Sequence, residues 1–250
     1  YTDPQWEPYQ QMLAASEMPA AVDFRAGGFP RAIIGSFATT GANQVERAQA
    51  FLDQYRDLFL QGHADLALYV RTTTGMTEAG EETIIFEQTY RGVKVYGAQL
   101  AVTVLGDKVY SVVGNLLTSS MIADDDLEVR PALSFADARA RAREAVGKPE
   151  ADIPFSPELR VYDAALLDSE TRSNPQLVWD VLTETVEVLV DAHTGEIVAL
   201  NSRIHDDILD LDLEHAHGSN AEDTGCYWWT SADEEVGDED GVYDDWKNNT

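Results

Sequence analysis

Two histidines set two residues apart, His215 and His217, follow Asp210, Asp212 and Glu214. Alternate residues of an extended strand share a face, so this set could converge on zinc or another divalent ion. A solvated polar strand or loop would use the same residues without a metal. Hydrolytic zinc chemistry needs more: two imidazoles four apart on a helix with a glutamate between them, the H-E-x-x-H arrangement. None of His63, His193, His205, His215 and His217 has that spacing. The acidic runs Asp206 to Glu214 and Asp233 to Asp245 could gather carboxylates around calcium, but neither follows the 12-residue calcium-loop pattern, and a solvated acidic tail is the plainer reading. Cys226 lies between Gly225 and Tyr227-Trp228-Trp229, which suits an apolar anchor better than a nucleophile. The glycines Gly27 and Gly28 lack the lysine of a phosphate loop. On residue chemistry alone the chain holds no enzyme site and no cofactor site.

The elements that would carry such residues sit in a strongly acidic chain. Its 250 residues contain 17 Lys and Arg against 45 Asp and Glu, a net charge of −28. That charge opposes a nucleic-acid backbone or an anionic membrane surface, so neither is an expected partner. No apolar run approaches the roughly 20 residues that span a bilayer. Opening on Tyr1 gives the expectation of a processed product that has lost a signal peptide. A single cysteine excludes an internal disulfide framework. Residues 201 to 250 hold 15 acidic and 2 basic residues, marking an acidic tail. Asp124-Asp125-Asp126 ahead of Pro131 predicts a linker at 123–131 between two modules with separate cores.

Asn43, with Glu46 three residues on, starts a pattern of apolar residues that predicts one amphipathic helix over 43–60. The runs Thr83 to Phe86, Val93 to Tyr96, Gln99 to Leu105 and Lys108 to Val113 predict strands, the last two joined by a Gly106-Asp107 hairpin with glycine first. The second half repeats this order. Ser134 and Asp137 cap a helix to about Val146 that should bury Phe135, Ala138, Ala142 and Ala145. Strands follow at Leu159 to Ala164, Leu177 to Leu182 and Val186 to Val190, then a fourth after the turn Asp191 to Gly195, where Gly195 supplies a positive φ. Trp179 is expected as a core anchor. The fold class is α+β: two modules, each a helix on an antiparallel sheet.

Two segments carry a resemblance. Phe86-Glu87-Gln88-Thr89-Tyr90-Arg91-Gly92-Val93-Lys94-Val95-Tyr96-Gly97, with the Val112-Val113-Gly114-Asn115 end, resembles the FTP module of fungalysin/thermolysin propeptides. Its conserved-type glycine falls at Gly97, and the segment Gly28 to Gly35 with the helix over 43–60 looks like that module's opening. Leu133-Ser134, Leu177 to Val181 and Val188 to Val198 resemble a PepSY domain, which is cystatin-like. The resemblance implies 1–21 as an N-terminal extension, 22–122 as the FTP-like module, 132–201 as the PepSY-like module and 202–250 as a tail leading towards a catalytic domain.

FTP followed by PepSY is the usual prodomain order of secreted thermolysin-family zinc metalloproteases. The resemblance therefore implies a non-catalytic, extracellular chain that acts as intramolecular chaperone and inhibitor of a cognate metalloprotease domain. Zinc and calcium would belong to that domain. Arg203, Ile204, His205, Asp206 and Asp207 are the expected protease contacts, because they follow the last strand. The rival reading is an extracellular self-assembling or adhesive subunit built from the same modules.

Overall fold

The computed structural model of the chain describes residues 6–24, 29–122, 127–147, 153–168 and 171–203. The expectations for Asp124 to Asp126, Cys226, the metal candidates Asp210, Asp212, His215 and His217, and the contacts Ile204 to Asp207 lie outside these residues. The α+β class holds: few helices and one large, mostly antiparallel sheet.

Helix α1 (Trp6–Ala15) leads into strands β1 (Ala21–Phe24) and β2 (Pro30–Ala38), then helices α2 (Gln44–Gln54) and α3 (Arg56–Leu60). The segment expected as an N-terminal extension is thus partly helix, and Met12 is fully buried in the main core. Asn43 caps α2 as its spacing predicts: its side chain accepts from the Glu46 amide at 2.9 Å, and the Glu46 carboxylate accepts from the Ala42 amide at 2.8 Å. The single helix expected over 43–60 breaks at Tyr55 (φ −110°, ψ 27°). Leu58, Phe59 and Leu60 are all buried, and three successive side chains of a straight surface helix cannot all face one core. The break turns the last stretch inward while Tyr55 still packs on Phe51, 4.9 Å between ring centres.

Strands β3 (Leu66–Thr73), β4 (Glu81–Tyr90), β5 (Val93–Leu105) and β6 (Lys108–Asn115) form a meander, and helix α4 (Phe135–Ala145) precedes β7 (Glu158–Tyr162), β8 (Gln176–Leu182), β9 (Val186–Asp191) and β10 (Ile197–Ser202). The hairpin at Gly106-Asp107 forms as expected, with Leu105 opposite Lys108 and Gly106 at φ +60°. Ser134 caps α4, but only Ala138 and Ala142 of its expected inner face are buried; Phe135 is 57% exposed.

The runs expected as separate strands at Val93 to Tyr96 and Gln99 to Leu105 are one 13-residue strand. Glu87 pairs with Gln99 and Thr89 with Lys94, so β5 carries extra residues there, with Gly97 at φ +72° in the bulge. A Cβ on Gly97 would lie 3.0 Å from Leu167 Cδ2, so a glycine suits both the backbone and the space. Beyond the bulge β6 pairs with Gln99 to Leu105; before it, Lys94 and Val95 pair in parallel with Arg160 and Val161 of β7. β5 is thereby a ledge on which both halves build, and the sheet is continuous through ten strands.

The expectation of two separate cores fails for the same reason. The main core gathers Phe51, Phe86 and Leu100 with Val161, Leu177 and Ala192 of the second half, and Leu127 and Val129 of the expected linker pack against it. A smaller cluster under α4 contains Ala138, Ala142, Val181, Val188 and Val190. Trp179 is half-buried rather than a central anchor: it touches both clusters, and its Nε1 donates to the Leu133 carbonyl at 2.9 Å. Trp179→Ala is expected to cost about 2–3 kcal/mol, below the range for fully buried tryptophans, and Trp179→Phe about 1 kcal/mol for the lost hydrogen bond. Urea unfolding of both variants measures this.

Candidate functional site: the uncovered sheet face

Helix α2 packs on β4, β5 and β6, and α4 on β8, β9 and β10. Along β5 the side chains on that face are Ala98, Leu100, Val102 and Val104, and along β8 and β9 they are Val181, Val188 and Val190. The opposite face carries no α-helix among the described residues, only the 3₁₀ turn Ala164–Leu166. It has two regions of different chemistry.

On the first half, the register aligns Ala32, Val113 and Ala101 across β2, β6 and β5, with Ile85 of β4 opposite Ala101. These small and branched side chains floor an open groove of about 870 Å³. Phe24, 44% exposed, and Leu167, 58% exposed, line it together with the Arg31–Asp23 ion pair and the amides of Gln99 and Asn115. Leu167 comes from the second half, after a 3₁₀ turn at Ala164–Leu166. That turn is fixed by Asp163, whose buried carboxylate accepts from the Ala165 amide at 2.9 Å and from Ser173 Oγ. Asn115 at the end of β6 donates to the Leu166 carbonyl, tying the two halves together beside the groove. Ile34 and Val113 add exposed apolar surface. Large exposed apolar side chains gathered in one place mark a surface suited to a protein partner.

On the second half the same face carries polar pairs beside a small buried apolar cluster of Tyr162, Val178 and Leu189. Arg160 Nε donates to Asp180 Oδ2 at 2.9 Å and its Nη2 to Glu158 Oε2 at 2.8 Å. Tyr96 donates its hydroxyl to Glu187 Oε2 at 2.5 Å, and Asn201 Nδ2 donates to the same oxygen at 2.8 Å. Burial first, then the bond to Glu187, pushes the Tyr96 phenol well up. Tyr69, bonded to Glu87 on the neighbouring strand, is pushed up to about 12, again by burial first. Both tyrosines are neutral donors that hold carboxylates on the sheet. Asp180 is pushed up to about 6 by burial and then by Glu187, with Arg160 opposing.

Of the residues singled out from sequence, Gly97 and Gly195 are where a positive φ is required, and the Gly195 amide donates to the Asp191 carbonyl at 3.0 Å. Arg203 lies at the end of β10; its amide donates to the Thr185 carbonyl at 2.8 Å and its Nη1 to the Thr183 carbonyl at 3.0 Å, so it is tied back to the β8–β9 turn. Among the described residues no three His, Cys, Asp or Glu side chains are placed to hold a metal ion. Asp180, Glu187, Tyr96 and Gln88 escaped notice in the sequence. A carboxylate inside the apolar run Leu177 to Leu182, and an amide in phase with Ile84 and Phe86, were the signals that could have found Asp180 and Gln88.

With this geometry in hand, residues 69–116 match the Fungalysin/Thermolysin Propeptide Motif, FTP, and residues 132–201 match PepSY, the Peptidase propeptide and YPEB domain. The two matches follow one another along the chain. Among solved structures it is similar to the Bacillus megaterium YpeB C-terminal domain, at 12% identity over 81% of this chain and 97% of that one, with a TM-score of 0.36. No curated protein sequence matches the chain. Among the described residues no helix is long and apolar enough to cross a membrane.

Proposed function

We propose that this chain is the propeptide region of an exported thermolysin-like zinc metalloprotease, acting on the catalytic domain as folding template and inhibitor. The observation that carries the reading is the FTP and PepSY tandem built onto one sheet whose face away from the α-helices holds a groove of mixed apolar and polar lining, walled by both halves. A partner that binds a native protein and not its unfolded chain stabilises the native state, so one docking surface serves both roles. The groove supplies apolar contact and polar partners, and the edge of β10, unpaired among the described residues and with Ile197 and Leu200 exposed, offers backbone pairing. The chain itself supplies no catalytic group, and zinc and calcium belong to the partner. The acidic balance of −28 favours a relatively basic docking face, with association slowing as salt rises.

The test is inhibition in trans. The full chain, titrated against the cognate protease domain at two ionic strengths with a peptide substrate, should inhibit with a submicromolar constant, about −8 kcal/mol or better for an interface of standard size. Leu167→Asp, which puts a charge on the groove wall, should weaken inhibition about tenfold or more without unfolding the chain. No inhibition at tens of micromolar by a folded chain would sink the reading. Concentration-dependent assembly through the open edge would then favour the self-assembling subunit.

A further inference from the structure

We propose that Asp180 is a proton-operated latch on the seam between the two halves of the sheet, closed when its carboxyl is protonated and loosened when it ionises. The inference does not depend on the protease reading. Asp180 is 6% exposed; its Oδ2 meets Arg160, while its buried Oδ1 has no hydrogen-bond partner among the described residues. Its charged and polar surroundings come from five strands, some reaching it only through its partners. Glu158 and Arg160 come from β7, Glu187 from β9, Lys94 and Tyr96 from β5, and Asn201 from β10, while Tyr69 of β3 lies within the field of Arg160. Lys94 Nζ sits 3.8 Å from Glu158, and Arg160 is shared between Glu158 and Asp180. The Arg71–Glu87 pair nearby cancels itself, so with Asp180 ionised the remaining three carboxylates face two cations, and one buried anionic oxygen has no partner among the described residues. With Asp180 protonated, Glu158 and Glu187 balance Arg160 and Lys94.

The seam is where this charge acts. Arg160, the direct partner of Asp180, is also the residue that pairs with Lys94 in the parallel β5–β7 ladder. Ionisation places an unbalanced charge one strand away from the two register pairs, Lys94 with Arg160 and Val95 with Val161, that join the halves. Burial and Glu187 hold the carboxyl up to about 6 in the folded chain, above its ordinary value near 4. The folded state thus binds the proton more tightly than the unfolded one. Its contribution to stability is complete below about pH 4 and is lost as pH rises through about 6.

The experiment compares the full chain with Asp180→Asn in urea at intervals from pH 4 to pH 7.5, followed by tryptophan fluorescence. The folding constant of the unaltered chain relative to Asp180→Asn should fall by up to about a hundredfold over that range, corresponding to a displacement of about two pH units. Parallel curves would overturn the latch. If Asp180→Asn fails to fold, the carboxyl carbon of Asp180 is titrated by NMR in the unaltered chain. A midpoint near 6 that moves down in Glu187→Gln supports the proposal, and an ordinary midpoint near 4 overturns it. Amide exchange decides whether the seam is the element affected. Across the midpoint, the Val95 and Val161 amides should lose protection relative to Val102 and Val112 of the β5–β6 ladder, and equal changes in both pairs would overturn the latch.

Discussion

Gly114→Ala is expected to cost about 3 kcal/mol or more, among the largest effects of any single methyl group in this chain. The constraint is close approach. A Cβ on Gly114 would lie 2.0 Å from the Gln99 carbonyl oxygen, 2.9 Å from its carbonyl carbon and 3.0 Å from Leu100 Cα. All three atoms are backbone of β5, and a backbone in the middle of a sheet cannot swing aside as a side-chain tip can. β6 would have to draw away where Gln99 opposes Asn115, losing ladder bonds and disturbing the contact of Asn115 with Leu166 that joins the halves. Gly106→Ala is the control. Gly106 also has a positive φ, but nothing lies within 4 Å of its Cβ position, so the cost should stay near the 1–2 kcal/mol of left-handed backbone. Urea melts of the two variants should differ clearly, and equal losses would show that the close approach is not what fixes this glycine.

Gln88→Leu should be comparably damaging, although it keeps the volume and adds apolar surface. Gln88 is fully buried on β4, and its amide reads the main chain of Leu117 in both directions: Nε2 donates to the carbonyl at 2.8 Å, and Oε1 accepts from the amide at 2.8 Å. Leu117 is itself buried, so leucine at 88 leaves a main-chain donor and acceptor without partners away from water. At about 1–3 kcal/mol for each stranded group, the loss should reach about 3–5 kcal/mol. The segment after β6 should also lose its place, which amide exchange at Leu116 to Ile122 would report. Retained protection there, with a loss below about 1 kcal/mol, would mean that water or a rearranged main chain can replace the clamp.

What the sequence made legible was local. The capping signals at Asn43 and Ser134, the Gly106-Asp107 hairpin and the short continuous apolar runs of β8 and β9, buried on both faces, are all decided within a few residues. β2 was hidden because Ile33, Gly35, Ser36 and Phe37 are all buried, which destroys alternation; the register slips between Ile34 and Phe37, so the strand changes phase midway. α1 has little apolar periodicity beyond Met12. Gly97 was read as a break because glycine weakens strands, whereas here it supplies a bulge within one. The uncovered face was the least legible part. Its groove depends on Leu167 meeting Phe24 across the sheet, and its polar region on Tyr96 meeting Glu187, pairings between distant parts of the chain that no local pattern encodes.

The shared ledge on β5 has a consequence for chains at high concentration. β7 occupies the Lys94 and Val95 edge through parallel pairing, and parallel neighbours need no tight turn between them. The same edge on one copy accepts the β7 of another as well as its own, with identical contacts. What favours the closed monomer is the high local concentration that the connecting chain gives to its own second half. Shortening that connection, or crowding the protein into the millimolar range, removes the advantage. Two copies would then exchange second halves into an interlocked dimer that keeps the native seams and parts slowly on dilution.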